Sequence, residues 1–274
     1  MSKFSVLMSL YIKEKPEYFD ECMKSVIHQT VLPTEVVIVL DGPITEKLQQ
    51  RVDYYLEKYP DLIRTVPLKE NQGLGKALAI GVPECKYDLI ARMDTDDICR
   101  DDRFEKQLLE FEKNPDLDIC GSHIAEFSET VDKIKGKRLV PLEHEDIVKY
   151  QKRRDGFNHV TVMFKKESVL KAGNYQHALL MEDSLLWANM FLNGCIGKNI
   201  DDCLVYVRAG DEMIERRGGF SYFLKYKEGR KKILETGFIS KFDYYYTLLA
   251  QLVVALVPSR ARVFIFNNLL RKSN

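Results

Sequence analysis

Residues 35–42 read EVVIVLDG, an unbroken run of Val36, Val37, Ile38, Val39 and Leu40 that stops at Asp41-Gly42. A β-branched run with no polar alternation is a strand covered on both faces, as in parallel sheets, and an Asp-Gly pair marks its end. Working outward, the same kind of run recurs at FSVLMSL (4–10), IRTVPL (63–68) and DLIARMD (88–94). Helix-like stretches separate them: PEYFDECMKSVIHQ (16–29), ITEKLQQRVDYYLEKY (44–59) and GKALAIGV (75–82). Pro16 opens the first of these at a position where its missing N–H costs nothing. Strands alternating with helices predict an α/β chain with a mostly parallel, Rossmann-like sheet flanked by helices. In such sheets ligands bind at the carboxyl ends of the strands. Three polar clusters fall there: Ser9 and Tyr11, then Asp41 and Gly42, then Asp94, Asp96 and Asp97.

From residue 100 to 210 the alternation loosens. DDRFEKQLLEFEKN (101–114) reads as a helix, LDICGSHIAEF (117–127) and HVTVMF (159–164) as strands, and EDSLLWANMFLNG (182–194) as a helix stopped by Gly194. The expected organisation is one catalytic domain over 1–240, with a nucleotide half (about 1–100) and an acceptor half (about 101–240), followed by an apolar and basic tail at 241–274.

The 274 residues carry 41 lysines and arginines against 41 aspartates and glutamates, so no global field draws in nucleic acid and charge-driven binding is local. Six cysteines without a CxxC pair fit reduced thiols in a cytosol rather than a disulfide framework. The apolar run before Lys13 is shorter than a signal-peptide core and reads as a first strand. A cytoplasmic protein is expected.

Asp94-Thr95-Asp96 at the end of a strand turns two carboxylates toward one point, which suits a divalent cation with open positions for phosphate oxygens. The plainer alternative is a solvated acidic turn before the next helix. An EF-hand is excluded because Ile98 and Cys99 stand where a ligand and a turn glycine are required. A phosphatase of the haloacid-dehalogenase type, with a DxDx[TV] motif, is a remote alternative, since its motif belongs on a first strand and this one follows the fourth. Further on, MEDSLLW (181–187) puts Glu182 and Asp183 at a helix start and Trp187 one turn beyond Asp183. A positioned carboxylate that takes a hydroxyl proton contributes about 10²–10⁴ in rate, and an indole can stack on a sugar. The alternatives are helix N-terminal acids favoured by the dipole and a core tryptophan.

Taken together in order and spacing, VLMSLY, SVIHQT, VIVLDG, NQGLGKALAIG, LIARMDTDD, HVTVMFKK and MEDSLLW resemble family 2 glycosyltransferases of the GT-A fold, in the branch that builds bacterial surface polysaccharides. The resemblance covers residues 4 to about 220. It implies an inverting transfer from a nucleotide diphosphate-sugar, by preference a UDP-sugar, to a glycan or lipid-linked acceptor in capsule, O-antigen or exopolysaccharide synthesis. Ser9, Tyr11 and Asp41 would hold the donor nucleotide, Asp94 and Asp96 would hold Mn2+ or Mg2+, and Asp183 would be the general base. Gly73 takes a donor-side role by letting the backbone approach. Arg92 would reach a phosphate or the ribose, the alternative being a salt bridge to a neighbouring aspartate. His159, Glu182 and Trp187 fall on the acceptor side, a satisfied core histidine being the alternative for His159. Arg216 and Arg217 form a basic loop toward the diphosphate, or a solvated turn. Many relatives carry a histidine after a YR pair; VYVRAGDEMIERRGG has none, so Asp211 or water would complete the metal shell. A non-catalytic nucleotide-sugar-binding partner in a synthesis complex is the second functional class.

YYYTLLAQLVVALV (244–257) is fourteen residues, short of the roughly twenty needed to span hydrocarbon. With Arg260, Arg262, Arg271 and Lys272 beyond it, the tail is expected to lie at the inner membrane surface, or else to pack on the catalytic domain or in a homodimer seam.

Overall fold

A computed structural model describes residues 2–209 and 219–257. In chain order the elements that position the site are β1 (Phe4–Leu10), α1 (Pro16–Ile27), β2 (Glu35–Leu40), α2 (Glu46–Lys58), β3 (Ile63–Pro67), α3 (Leu74–Glu84), β4 (Leu89–Asp94), β5 (Ile98–Cys99) and α4 (Arg103–Lys113). They continue with β6 (Leu117–Phe127), β7 (Ile134–Arg138), α5 (His144–Gln151), β8 (Met163–Lys165), α6 (Lys166–Lys171), α7 (Glu182–Leu192), β9 (Ile196–Arg208), α8 (Phe220–Glu235) and α9 (Lys241–Leu256).

One sheet runs β3-β2-β1-β4-β8-β6-β9-β5, with β7 paired to β6. The expected parallel half is β3-β2-β1-β4. Beyond it the sheet is mixed: β8 runs antiparallel to both β4 and β6, while β9 is parallel to β6. Residues alternate strictly between the two faces of the sheet. Val6, Met8, Val36 and Ile38 pack with Phe19 and Met23 of α1, Val52 of α2 and Phe104 of α4. Leu7, Val37 and Val39 pack on the other face with Ala77 and Leu78 of α3 and Leu186, Trp187 and Met190 of α7. Both faces are covered, which is why these strands carry no polar stripe.

Two segments depart from the sequence expectation. HVTVMF begins as a 3₁₀ turn at His159–Thr161, and only Met163–Lys165 forms strand. Local bonds hold the turn: Thr161 Oγ1 donates to Asn158 O (2.8 Å), and Asn158 Nδ2 donates to Ser122 O (2.8 Å). β9, thirteen residues long, forms where the sequence pattern marked no element. Asp201 and Asp202 interrupt its apolar pattern where the β6 pairing shifts register, so alternation is lost while the ladder continues.

The helix over 241–256 is closed at its start by a capping box, Ser240 with Asp243. Tyr244 and Leu248 join Met181, Leu185 and Ala188 of α7 and Ile233 of α8 in a third apolar cluster. Its inward face therefore packs on the catalytic body. Among the described residues no helix is long and apolar enough to cross a membrane.

Candidate active site

The chain order places β2 on one side of β1 and β4 on the other, and the crevice at such a crossover takes ligands. Register makes the strand ends level: Ser9 lies opposite Val39 on one side and Asp94 on the other. Tyr11 follows, half exposed.

Asp41 is buried, and its carboxylate accepts hydrogen bonds from Gln72 N (2.7 Å), Gly73 N (3.0 Å) and Asn71 Nδ2 (3.0 Å). It fixes the loop that feeds α3. Gly73 begins that helix at φ 87°, a left-handed conformation that side chains resist. Gly42, at φ 83°, lets the two loops touch, since a Cβ there would lie 2.5 Å from Asn71 N. Asp41 and Gly73 are thus bonded to one another, and every N–H of this turn that Asp41 reaches is satisfied.

The β4 end is built differently. Asp94, Asp96 and Asp97 bring one carboxylate oxygen each within 4.8 Å of the others, the one such metal-ligating group among the described residues. Burial, then the charges of Asp94 and Glu14, push Asp96 up to about 7. Burial, then Asp96 and Asp94, push Asp97 well above the carboxylate range. Asp94 raises the proton affinity of Asp96 and Asp97, and Asp96 that of Asp97; acids crowded in this way suit a divalent cation, which replaces those protons with charge.

Cations hold this turn from outside. Arg92, buried, pairs with both oxygens of Asp94, at 2.7 Å from Nη1 and closer from Nη2. Arg208, at the end of β9, donates from its backbone N to Asp97 (2.8 Å) and from Nε to Asp96 O (3.1 Å) while its guanidinium stacks 3.9 Å over Tyr18. Glu14, in the β1–α1 loop, accepts from Thr95 Oγ1 (2.7 Å). The salt-bridge alternative for Arg92 is the arrangement found.

Asp183 starts α7, with Oδ1 accepting from Ser184 N (2.8 Å). Burial and the neighbouring Asp155 carboxylate push it up to about 7. Asp155 in turn accepts a short hydrogen bond from Ser184 Oγ. Glu182 lies against the donor side, because a Cβ added to Gly75 would meet its Cγ at 2.5 Å. Tyr175 and His159 are joined at 2.8 Å from phenol oxygen to Nε2. The phenol is within electrostatic reach of Arg92, Asp183 and Asp94, and burial raises its pKa. Burial, then Arg92, holds the His159 imidazole well below its usual range, so it is neutral at pH 7.

Trp187 corrects the expectation of a sugar-stacking platform. Its indole is fully buried, edge-on to Phe157 (5.7 Å) and His159 (5.9 Å). Four residues past Asp183 the helix has already turned into the core, so the position that follows the base by one turn is a packing position. His159, partly exposed, has its ring engaged by Tyr175 and Trp187, which is the satisfied-histidine alternative. Arg216, Arg217 and Asp211 lie outside the described residues. Sequence reading passed over Asp155, Tyr175, Glu14 and Arg208; only Asp97 carried a local signal, through its neighbours in DTDD.

Comparison with known proteins agrees with this architecture. Residues 5–173 match the family Glycosyl transferase family 2. The chain is 40% identical to the amylovoran biosynthesis glycosyltransferase AmsE of Erwinia amylovora over 96% of its length and 97% of that protein. It is 36% identical to the Escherichia coli UDP-Gal:alpha-D-GlcNAc-diphosphoundecaprenol beta-1,3-galactosyltransferase over 98% and 97% of the two chains. A mannosyltransferase from Pyrobaculum calidifontis, solved with GDP-Man and Mn2+, superposes with a TM-score of 0.63 at 14% identity, covering 96% of this chain and 72% of that one, and shows the same GT-A fold. The chain belongs to the family 2 glycosyltransferases and catalyses glycosyl transfer.

Proposed function

We propose that the chain moves a hexose or N-acetylhexosamine from a UDP-sugar to a hydroxyl of a lipid-linked glycan during surface-polysaccharide assembly, with inversion. The observation that carries this reading is the joining of two unlike acidic centres: a metal-binding triad at the β4 end and a carboxylate poised near neutrality on α7, both within reach of Tyr175. The names of the Erwinia and Escherichia coli relatives support a polysaccharide pathway, a UDP-sugar and a polyprenyl-linked acceptor.

In this mechanism Asp183 accepts the proton of the acceptor hydroxyl as its oxygen attacks the anomeric carbon from the side opposite the diphosphate. A single displacement inverts the configuration. Raised to about 7, Asp183 is a stronger base than a surface aspartate while still ionised in a useful fraction at neutral pH. A divalent cation on Asp94 and Asp96, with Asp97 beside them, would supply positive charge to the departing diphosphate. Arg92 and the Arg208 backbone hold those carboxylates in place. Ser9, Tyr11 and the Asp41–Gly73 turn line the crevice for the nucleotide, and Glu182 stands between it and the acceptor. The work would be done at the cytoplasmic face of the membrane.

The test is a donor panel of UDP-galactose, UDP-glucose and UDP-N-acetylglucosamine. Nucleoside diphosphate release is read with Mn2+ and with EDTA, and the product anomer is assigned by NMR. Release with one donor, dependent on metal, and an inverted product are expected. A retained anomer would remove the single displacement. Equal release in EDTA would remove the metal. Donor binding with no turnover on any polyprenyl-linked acceptor would favour the non-catalytic partner.

A further inference from the structure

We infer that the outward face of α9, with the basic residues beside it, is a docking surface for an anionic lipid bilayer. The purpose of this surface rests on the lipid-linked acceptor proposed above; its test does not.

The inward residues of α9, Tyr244, Thr247 and Leu248, are buried. The outward ones are Phe242, Tyr245, Tyr246, Leu249, Val253 and Leu256, exposed by 51 to 74%. Their spacing of three and four residues makes one continuous stripe along the helix. A contiguous apolar face of this length on a folded surface marks an interaction site. Its chemistry is graded: aromatic rings at the N-terminal end and aliphatic side chains toward the C-terminal end, as in helices that lie in the interfacial layer.

Charge selects the occupant. The whole chain is neutral, yet residues 149–154 and 220–257 hold ten lysines and arginines against three acids. One of those acids, Asp243, is already paired with Arg153 at 2.7 Å. Arg153 lies over the rings of Tyr246 (4.8 Å) and Phe242 (5.4 Å), so a guanidinium borders the stripe itself. The sequence beyond residue 257 adds Arg260, Arg262, Arg271 and Lys272 and no acid. Two copies of so basic a face repel each other, whereas anionic headgroups attract it.

The surface is also wired to the base. Arg230 of α8 donates to Lys152 O (2.7 Å), Arg153 holds Asp243 of α9, and Asp155 accepts from Ser184, the neighbour of Asp183. Three residues of the 152–155 segment therefore tie both C-terminal helices to the start of α7. A bilayer against α9 would hold a membrane-anchored acceptor at a fixed height relative to Asp183.

The experiment is vesicle flotation of the full-length chain. Vesicles of phosphatidylcholine alone are compared with vesicles containing phosphatidylglycerol. Co-flotation with the anionic vesicles, weakened by salt, is expected. Leu249→Glu with Val253→Glu should abolish it while leaving the circular-dichroism spectrum and thermal midpoint unchanged. Lys152→Gln with Lys241→Gln, which leaves the stripe intact, should reduce partitioning by roughly thirtyfold, about fivefold for each charge lost. Transfer to a water-soluble acceptor should be equal in all forms, and transfer to a polyprenyl-linked acceptor in vesicles should fall with flotation. The proposal is overturned if the wild type ignores anionic vesicles, or if the double glutamate variant floats like the wild type. It is equally overturned if the glutamates convert a dimer to a monomer, which would make the stripe a seam between copies. Flotation with no transfer to any acceptor would instead count against the proposed reaction alone.

Discussion

Two strand ends in the same sheet carry buried carboxylates with opposite fates. At the β2 end Asp41 accepts three N–H donors from the loop it supports, so its charge is stabilised by the protein's own donors. At the β4 end Asp94, Asp96 and Asp97 crowd together, and the proton affinities of Asp96 and Asp97 are raised by burial and by their acidic neighbours. Satisfied donors make a scaffold; crowded like charges make a site that requires a cation. Asp183 also has its proton affinity raised, by burial and then by Asp155, but it stands apart from the triad, and there a raised carboxylate serves to take a proton.

The largest effect that would break this contrast is on turnover. Asp183→Asn should lower transfer by about 10²–10⁴ while donor affinity stays within a few-fold, read by steady-state kinetics and calorimetry. Unchanged turnover would reassign the base. Next come Asp96→Ala and Asp41→Ala, expected to act in opposite directions on stability. In EDTA at pH 8, Asp41→Ala should cost about 1–3 kcal/mol by leaving buried N–H groups without acceptors. Asp96→Ala should raise the midpoint slightly and lose the Mn2+-induced thermal shift. If both variants destabilise alike, the triad is a scaffold too.

The pH response sharpens the same contrast. Native Asp96 titrates near 7 and the unfolded group near 3.8, with Asp97 shifted in the same direction. The folded state therefore holds more protons between those values, and stability in EDTA should fall as pH rises from about 4 to about 7. Denaturation midpoints across that range check the sign, and Mn2+ should flatten the slope by displacing the protons. For Asp183, transfer should rise with pH through about 7. Asp155→Asn should move that limb to lower pH by removing a like charge. A limb that stays in place would make Asp155 a hydrogen-bond partner only. The smallest effect concerns Trp187→Phe: a modest loss of thermal stability and an acceptor KM within twofold of wild type, since the indole is fully buried in the core.

The donor half was legible because a parallel strand buried on both faces writes its own pattern. FSVLMSL, EVVIVL and LIARMD read as strands and are strands to within a residue or two, and the strand-end position of DTDD follows from counting. The acceptor half was harder, because short antiparallel and bulged strands leave weaker marks. The Asp201-Asp202 pair hid β9, and the side-chain bonds of Asn158 and Thr161 turned an apparent strand into a 3₁₀ turn.

The sequence by itself determined which residues are chemically equipped: Asp41, the three aspartates after β4, Asp183, and the glycines at 42, 73 and 75. It determined the parallel half of the sheet, since hydrophobic period and turn residues are local properties of the chain. Only the tertiary structure decided how the carboxylates divide their labour. Asp41 meets the 71–73 loop across thirty residues, Arg92 turns back onto Asp94, and Asp155 arrives beside Asp183 through Ser184. The tertiary structure also decided that Trp187 faces the core and that the outer stripe of α9 faces outward. Protonation, solvation and pairing are set by neighbours distant in sequence, so a carboxylate's identity is written in the chain while its charge state is fixed only by the fold.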